Sequence, residues 1–306
     1  MFVLINLRLM RLIYLLLICL VPVVLGATVP ADKTFFASEK NCWCDYPLGG
    51  QFTIPVIGTL KYRGGKGRSY PNGYESAEVF TALHKSHQNS YPFLDLKLHR
   101  VGEGRAAANC GLGWRTFSGT REQMFGANAY FDYRSVVKTN LFQLGLGLEF
   151  LGKFWDFRGN GYIPLAKRRA FLKEVCELYV GGGSATCNRY EKAMWGIDAE
   201  LGVHLARTKC LDWYAAVGTY SFDSAEHANT MVGGMGRAYL KYNRWLTLQY
   251  NITHDKVFHT QMQGEIALTM PLCCTREFWR CLYIPVERNN IIITEKFCEN
   301  WCTNFP

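Results

Sequence analysis

The residues with the most reactive side chains in this 306-residue chain are its twelve cysteines. Cys19 falls in an apolar leader, which leaves eleven: Cys42, Cys44, Cys110, Cys176, Cys187, Cys210, Cys273, Cys274, Cys281, Cys298 and Cys302. Thiols of this kind either hold a metal or form disulfides, and spacing separates the two. Cys42-x-Cys44 and Cys298-x-x-x-Cys302 resemble ligand pairs, but no CxxC motif accompanies them and His84-x-x-His87 stands alone. Neither a metal nor a cofactor is expected, and disulfide chemistry is. Eleven is odd, so at least one thiol is free or bonded to another molecule. The cysteines crowd both ends, at 42–44 and from Cys273 onward, where cross-linking to neighbours suits them better than stapling a core. Cys176 and Cys187 share one connection and could close it. The candidate cross-linking set is therefore Cys42, Cys44, Cys176, Cys187, Cys273, Cys274, Cys281, Cys298 and Cys302.

Hydrolytic chemistry finds less support. The serines sit in turn-like stretches, and no Ser, His and Asp arrangement is suggested by spacing. Gly64-Gly-Lys-Gly-Arg-Ser69 lacks the spacing of a phosphate-binding loop. The chain is not expected to be an enzyme. A third group is purely polar: Asn109, Arg115, Asn128, Asp132, Glu149, Arg158 and Asn160. Two arginines and two acids on neighbouring strands can pair across a lumen, which limits the cost of burying charge. That set is either a narrow polar pathway or a rigid network holding a barrel together.

The elements that would position these residues follow from the apolar pattern. From about Thr53 the sequence alternates with period two between turn signals. In Phe93-Leu-Asp-Leu-Lys-Leu-His-Arg100, Leu94, Leu96 and Leu98 share one face while Asp95, Lys97 and His99 share the other. Leu144-Gly-Leu-Gly-Leu-Glu-Phe150 sets four large apolar residues against Gly145, Gly147 and Glu149. Twelve such segments are expected, at 53–62, 76–86, 91–101, 106–117, 123–136, 141–151, 154–165, 193–205, 211–222, 232–243, 245–255 and 259–271. Most are long enough for a tilted strand to cross a bilayer, which takes about 9–11 residues. The connections after the second, fourth, sixth, eighth and tenth segments are short, those after the first and seventh are long and the others on that side are mixed. Aromatics such as Trp114, Tyr133, Phe150, Trp155, Trp213 and Trp245 gather near segment ends. An even-stranded outer-membrane barrel has that asymmetry and such an aromatic girdle. A soluble β-sandwich would show a more highly charged second face than this one. The stretch 166–179, between the seventh and eighth segments, reads as a short amphipathic helix.

Composition agrees. The chain is 49% hydrophobic and 19% charged, below the ~25% charge of a typical soluble domain and incompatible with disorder. Its formal charge of +9 falls to +7 without Arg8 and Arg11. Such a surplus decides nothing alone, and no nucleic-acid partner is expected. Residues 1–27 have the basic, apolar and small-residue layout of a secretory signal peptide. Their 15-residue apolar run, interrupted by Pro22, is short for a spanning helix. The expected organisation is a signal peptide at 1–27, a periplasmic extension at 28–52, a barrel at 53–272 and a Cys-rich tail at 273–306.

Four motifs in close succession carry a family resemblance. Asn109-Cys-Gly-Leu-Gly-Trp-Arg115, Gly126-Ala-Asn-Ala-Tyr-Phe-Asp-Tyr133, Leu144-Gly-Leu-Gly-Leu-Glu-Phe150 and Arg158-Gly-Asn-Gly-Tyr162 are similar to the β-domain of inverse autotransporters, the intimin/invasin family. Met270-Pro-Leu272 and Val286-Glu-Arg-Asn-Asn-Ile-Ile-Ile293 resemble that family's barrel end and following linker, so the likeness covers about 90–295. The resemblance implies an all-β, twelve-stranded antiparallel barrel in the bacterial outer membrane, embedded in lipid and inserted by periplasmic chaperones and the barrel-assembly machinery. It also implies a linker through the lumen and a C-terminal passenger, often an adhesin. Here Pro306 comes 34 residues after Leu272 and five of those residues are cysteines, so no passenger is expected. The cysteine load is similar to that of chlamydia-like envelopes. The expected role is display or attachment at a host-cell surface through a short tail. The alternative is a small-solute pore, or an envelope element tied to other proteins by disulfides.

Overall fold

The computed structural model describes residues 56–82, 90–118, 123–137, 139–165, 169–178, 184–208, 210–223, 230–243, 245–273 and 284–304. Twelve of its strands close a barrel: β1 (Val56–Gly64), β2 (Tyr74–Ala82), β3 (Ser90–Val101), β4 (Arg105–Phe117), β5 (Gln123–Val136), β6 (Thr139–Gly152), β7 (Trp155–Pro164), β10 (Trp195–Arg207), β11 (Leu211–Asp223), β12 (Met231–Tyr242), β13 (Leu246–Asp255) and β14 (His259–Cys273). Every neighbour is antiparallel, and β1 closes on β14 with Ile57 opposite Pro271 and Gly64 opposite Gly264. The all-β, twelve-stranded expectation holds, and each expected segment overlaps one of these strands.

The alternation decides which way each strand faces. On β6, Leu148 is 67% exposed while its neighbour Glu149 is buried. Leu98 on β3 and Val217 on β11 are similarly exposed. The outer wall is thus a band of large apolar side chains and the inner wall is polar. This is the reverse of a water-soluble barrel and the arrangement lipid requires, because closure pairs the backbone groups and removes every edge. Aromatic clusters mark both rims. Phe150 lies 4.9 Å from Phe125 and 4.6 Å from Trp155 beside the tight β6–β7 turn. Phe142 sits within 5.7 Å of Phe131 and Tyr133 toward the opposite rim.

β1 starts and β14 ends at the rim that carries the two-residue β6–β7 turn, here called the near rim. At the far rim one connection leaves the wall. β7 pairs directly with β10, and the chain between them forms β8 (Arg169–Leu178) and β9 (Ser184–Ala193). With β15 (Thr294–Asn304) these make a separate three-stranded sheet in the order β15-β9-β8. The helix expected at 166–179 is therefore a strand from Arg169 to Leu178. Its sequence is rich in helix formers, but the pairing with β9, from Arg169 opposite Lys192 to Leu178 opposite Ser184, outweighs that preference. Residues 1–55, which hold the expected signal peptide and periplasmic extension with Cys42 and Cys44, lie outside the described residues, as do Cys274 and Cys281.

Candidate functional site

Residues 284–293 join no sheet, so an extended chain crosses the lumen with backbone groups that strand pairing does not satisfy. Buried carbonyls need donors, and the inner wall supplies them. Arg115 on β4 donates to Ile284 O at 2.6 Å near the near rim. Further along, Lys97 on β3 donates to Val286 O at 3.2 Å and Asn160 on β7 to Glu287 O at 3.4 Å. Asn109 on β4 reaches Asn290 O at 3.0 Å. Arg134 on β5 donates to Ile292 O, and Met194 N closes the series on Ile293 O at 3.0 Å at the far rim. Tyr162 contributes its hydroxyl oxygen, which accepts from Asn289 N at 2.8 Å.

Charge fixes the register of the linker in this track. The Arg288 guanidinium spans both Asp132 oxygens at 2.7 and 2.6 Å, a planar bidentate pairing. It also lies over the Tyr130 ring at 4.3 Å. Room for it comes from Gly145, where a Cβ would collide with the guanidinium. Glu287 pairs with Arg237 at 2.6 Å on the opposite wall. At the exit, the connection between β1 and β2 turns inward. The Ser69 hydroxyl accepts from Thr294 N at 2.8 Å and donates to Thr294 O at 3.0 Å, while Ser69 O accepts from Arg134 at 2.7 Å. Ser69 holds φ 70, a left-handed geometry that costs a non-glycine residue about 1–2 kcal/mol and is offset by these bonds.

Of the seven polar residues singled out in the sequence, Asn109, Arg115 and Asn160 bond the linker backbone and Asp132 holds Arg288. Glu149 orients Arg115 through bonds of 2.8 and 3.2 Å. Arg158 stays in the wall, bonded to Asp156 at 3.0 Å and the Tyr214 hydroxyl at 2.7 Å. Asn128 faces Gly147, and its Oδ1 has no hydrogen-bond partner among the described residues. Lys97, Arg134, Arg237 and the linker's own Glu287 and Arg288 belong to the site but not to that set. Lys97 and Arg134 carry the same signal as the others, being charged residues at inward phase. Arg237 was harder to find because β12 is rich in glycine. Ser76, His99 and Asn109 also come into line, at 2.6 and 2.7 Å, although their spacing did not suggest it. That relay ends on Asp132, through Asn109 at 2.7 Å, and so joins the linker clamp.

Beside the linker, toward β12–β14, remains an open crevice of about 780 Å³ whose walls include Arg68, Met235, Gln249, Asn251 and Gln263. Apolar clusters close around the linker on either side of it: Val286 sits with Phe80, Phe93 and Met124, and Ile293 with Tyr162, Tyr220 and Phe222.

Cys187 on β9 is bonded to Cys298 on β15, with Cα atoms 5.6 Å apart. The connection is thus not closed by a Cys176–Cys187 bridge. Cys176 and Cys302 both stand opposite Thr186 in the register, and Cys273 ends β14 opposite Val56. Cys110 and Cys210 are exposed free thiols.

Residues 67–215 match the family model described as the inverse autotransporter β-domain. The chain carries an inverse autotransporter β-domain. None of the curated proteins compared with it matches. Among solved structures, a chain from work on the in-meso crystallization of membrane proteins shares 17% identity with this β-domain at a TM-score of 0.56, over 79% of this chain and 100% of that one. The COG4313 outer membrane channel from Pseudomonas putida F1 is 10% identical at a TM-score of 0.47, over 76% and 100%. The translocator domain of the autotransporter NalP from Neisseria meningitidis is 11% identical at 0.32, over 72% and 88%. The β-domain is a bacterial outer-membrane barrel, crossing the bilayer with strands.

Proposed function

We propose that this barrel anchors the chain in the outer membrane and displays its own C-terminal segment at the outer face. One observation carries the reading: the linker runs from Arg115 near one rim to Arg134 near the other, and β15 then pairs outside the wall. In this reading the near rim, where both ends of the barrel lie, faces the periplasm. Residues 1–27 are the export signal and 28–52 a periplasmic extension. The far-rim sheet then stands outside the cell, where the tail can meet a host surface or another envelope protein. Seating is built into the wall, because each linker carbonyl that is paired trades water for a buried donor.

A second reading, an envelope element cross-linked from the periplasmic side, is favoured by the exposed Cys210 thiol in the β10–β11 turn. The small-solute pore is less favoured, since linker and apolar clusters fill both ends of the lumen. An epitope tag following Pro306 separates the readings. Antibody staining of intact cells supports display; staining that needs a permeabilised outer membrane sinks it.

A further inference from the structure

The β8–β9 hairpin is shaped as an acceptor for the chain that leaves the barrel. Pairing starts where the linker exits, with Met194 N on Ile293 O and Thr294 opposite Ala193. It continues through Cys298 opposite Arg189 to Glu299 opposite Asn188, then resumes past a bulge from Cys302 to Asn304. Three side-chain features of β9 are complete only when β15 is present. Glu191, fully buried, accepts from the Thr294 hydroxyl at 2.6 Å. The Tyr190 ring meets Phe171 of β8 at 5.7 Å and stacks on Phe297 of β15 at 5.9 Å. Cys187, buried in the hairpin, bonds Cys298 across 111 residues of sequence. Without β15 the same edge would present a row of unpaired backbone groups, a ready template for one more strand.

We propose that the hairpin captures the exported segment as a third strand and that the Cys187–Cys298 bond makes the capture permanent, closing only after residue 298 has crossed the lumen. This rests on the display reading. The oxidant is a low-molecular-weight disulfide in the medium. The Cys298 thiolate attacks it, forming a mixed disulfide and releasing one thiol; the Cys187 thiolate then attacks the Cys298 sulfur and releases the second thiol. Two protons and two electrons pass from the protein thiols to that compound.

The test uses the full chain in outer membranes, with the bonded peptide pair quantified by mass spectrometry after non-reducing digestion and barrel folding read by heat-modifiable migration. Gly145→Trp fills the place where Arg288 passes and should leave a folded barrel in which the bond falls at least tenfold. Tyr190→Ser leaves the lumen unchanged but removes the stacking surface, and should slow bond formation at least threefold. This second variant decides the question if Gly145→Trp does not fold. Wild-type levels and rates in the folded variants overturn the proposal. On intact wild-type cells a membrane-impermeant phosphine should cleave the bond. If the bond depends on the open lumen and on Tyr190, yet is cleaved only after the outer membrane is permeabilised, capture stands and outward display falls.

Discussion

Replacing Asp132 by Ala should release the linker while leaving the barrel intact. Arg288 and Asp132 are 1% and 2% exposed as side chains, and both carboxylate oxygens are taken by the guanidinium at 2.7 and 2.6 Å. With the carboxylate gone, the buried cation loses its bidentate partner and keeps the Tyr130 and Tyr162 rings, at 4.3 and 5.4 Å. Removing one partner of a buried pair costs about 3–5 kcal/mol. That shifts the balance between seated and unseated linker by roughly a hundredfold to a few thousandfold. The strand ladder around position 132, opposite Asn109 and Gln143, does not depend on the carboxylate. Single-channel recording in planar bilayers reads the effect, because an unseated linker opens the lumen. The open fraction should rise by at least two orders of magnitude, with heat-modifiable migration unchanged. Arg288→Met should open it less, since Asp132 keeps the bond from Asn109. The double variant should recover about 1–3 kcal/mol relative to the sum of the single losses. An unchanged open fraction in Asp132→Ala, or strictly additive losses, would refute the clamp.

Three further outcomes follow from the same geometry. Arg115→Ala leaves Glu149 buried and unpaired and frees Ile284 O, so urea unfolding in lipid vesicles should show a loss of about 3–5 kcal/mol. Leu148→Arg, one position from Glu149 but on the lipid face, should cost about 2–4 kcal/mol in the same assay without altering conductance. Tyr130→Phe removes the hydroxyl that donates to Asp95 at 2.6 Å. It should cost about 1.5–3 kcal/mol, the range for a hydrogen bond to a charged group, and no measurable change in unfolding would count against that bond.

The barrel was legible because period-two alternation is the direct consequence of a wall with lipid on one side. Leu94, Leu96 and Leu98 against Asp95, Lys97 and His99 already place β3 and its two faces. The far-rim sheet was not legible. β8 reads Arg-Ala-Phe-Leu-Lys-Glu-Val-Cys-Glu-Leu, whose helix formers say nothing of the partner strands that hold it extended. β15 lies 101 residues beyond β9 in sequence, from Ala193 to Thr294, and no local pattern announces so distant a pairing. The same distance hid the Cys187–Cys298 bond, since both cysteines have nearer candidates. Within the lumen, polar residues on β4 to β7 could be grouped by phase, but their common target could not. A linker of ten residues, 284–293, without periodicity carries no signal that its carbonyls meet Arg115, Lys97, Asn109 and Arg134.

The most direct measurement of the central claim is thiol labelling at Cys298 on intact cells, with a membrane-impermeant maleimide added after mild reduction. Display predicts labelling from outside at a level that permeabilising the outer membrane does not raise. Labelling that appears only after permeabilisation would place β15 and its hairpin in the periplasm and contradict the account.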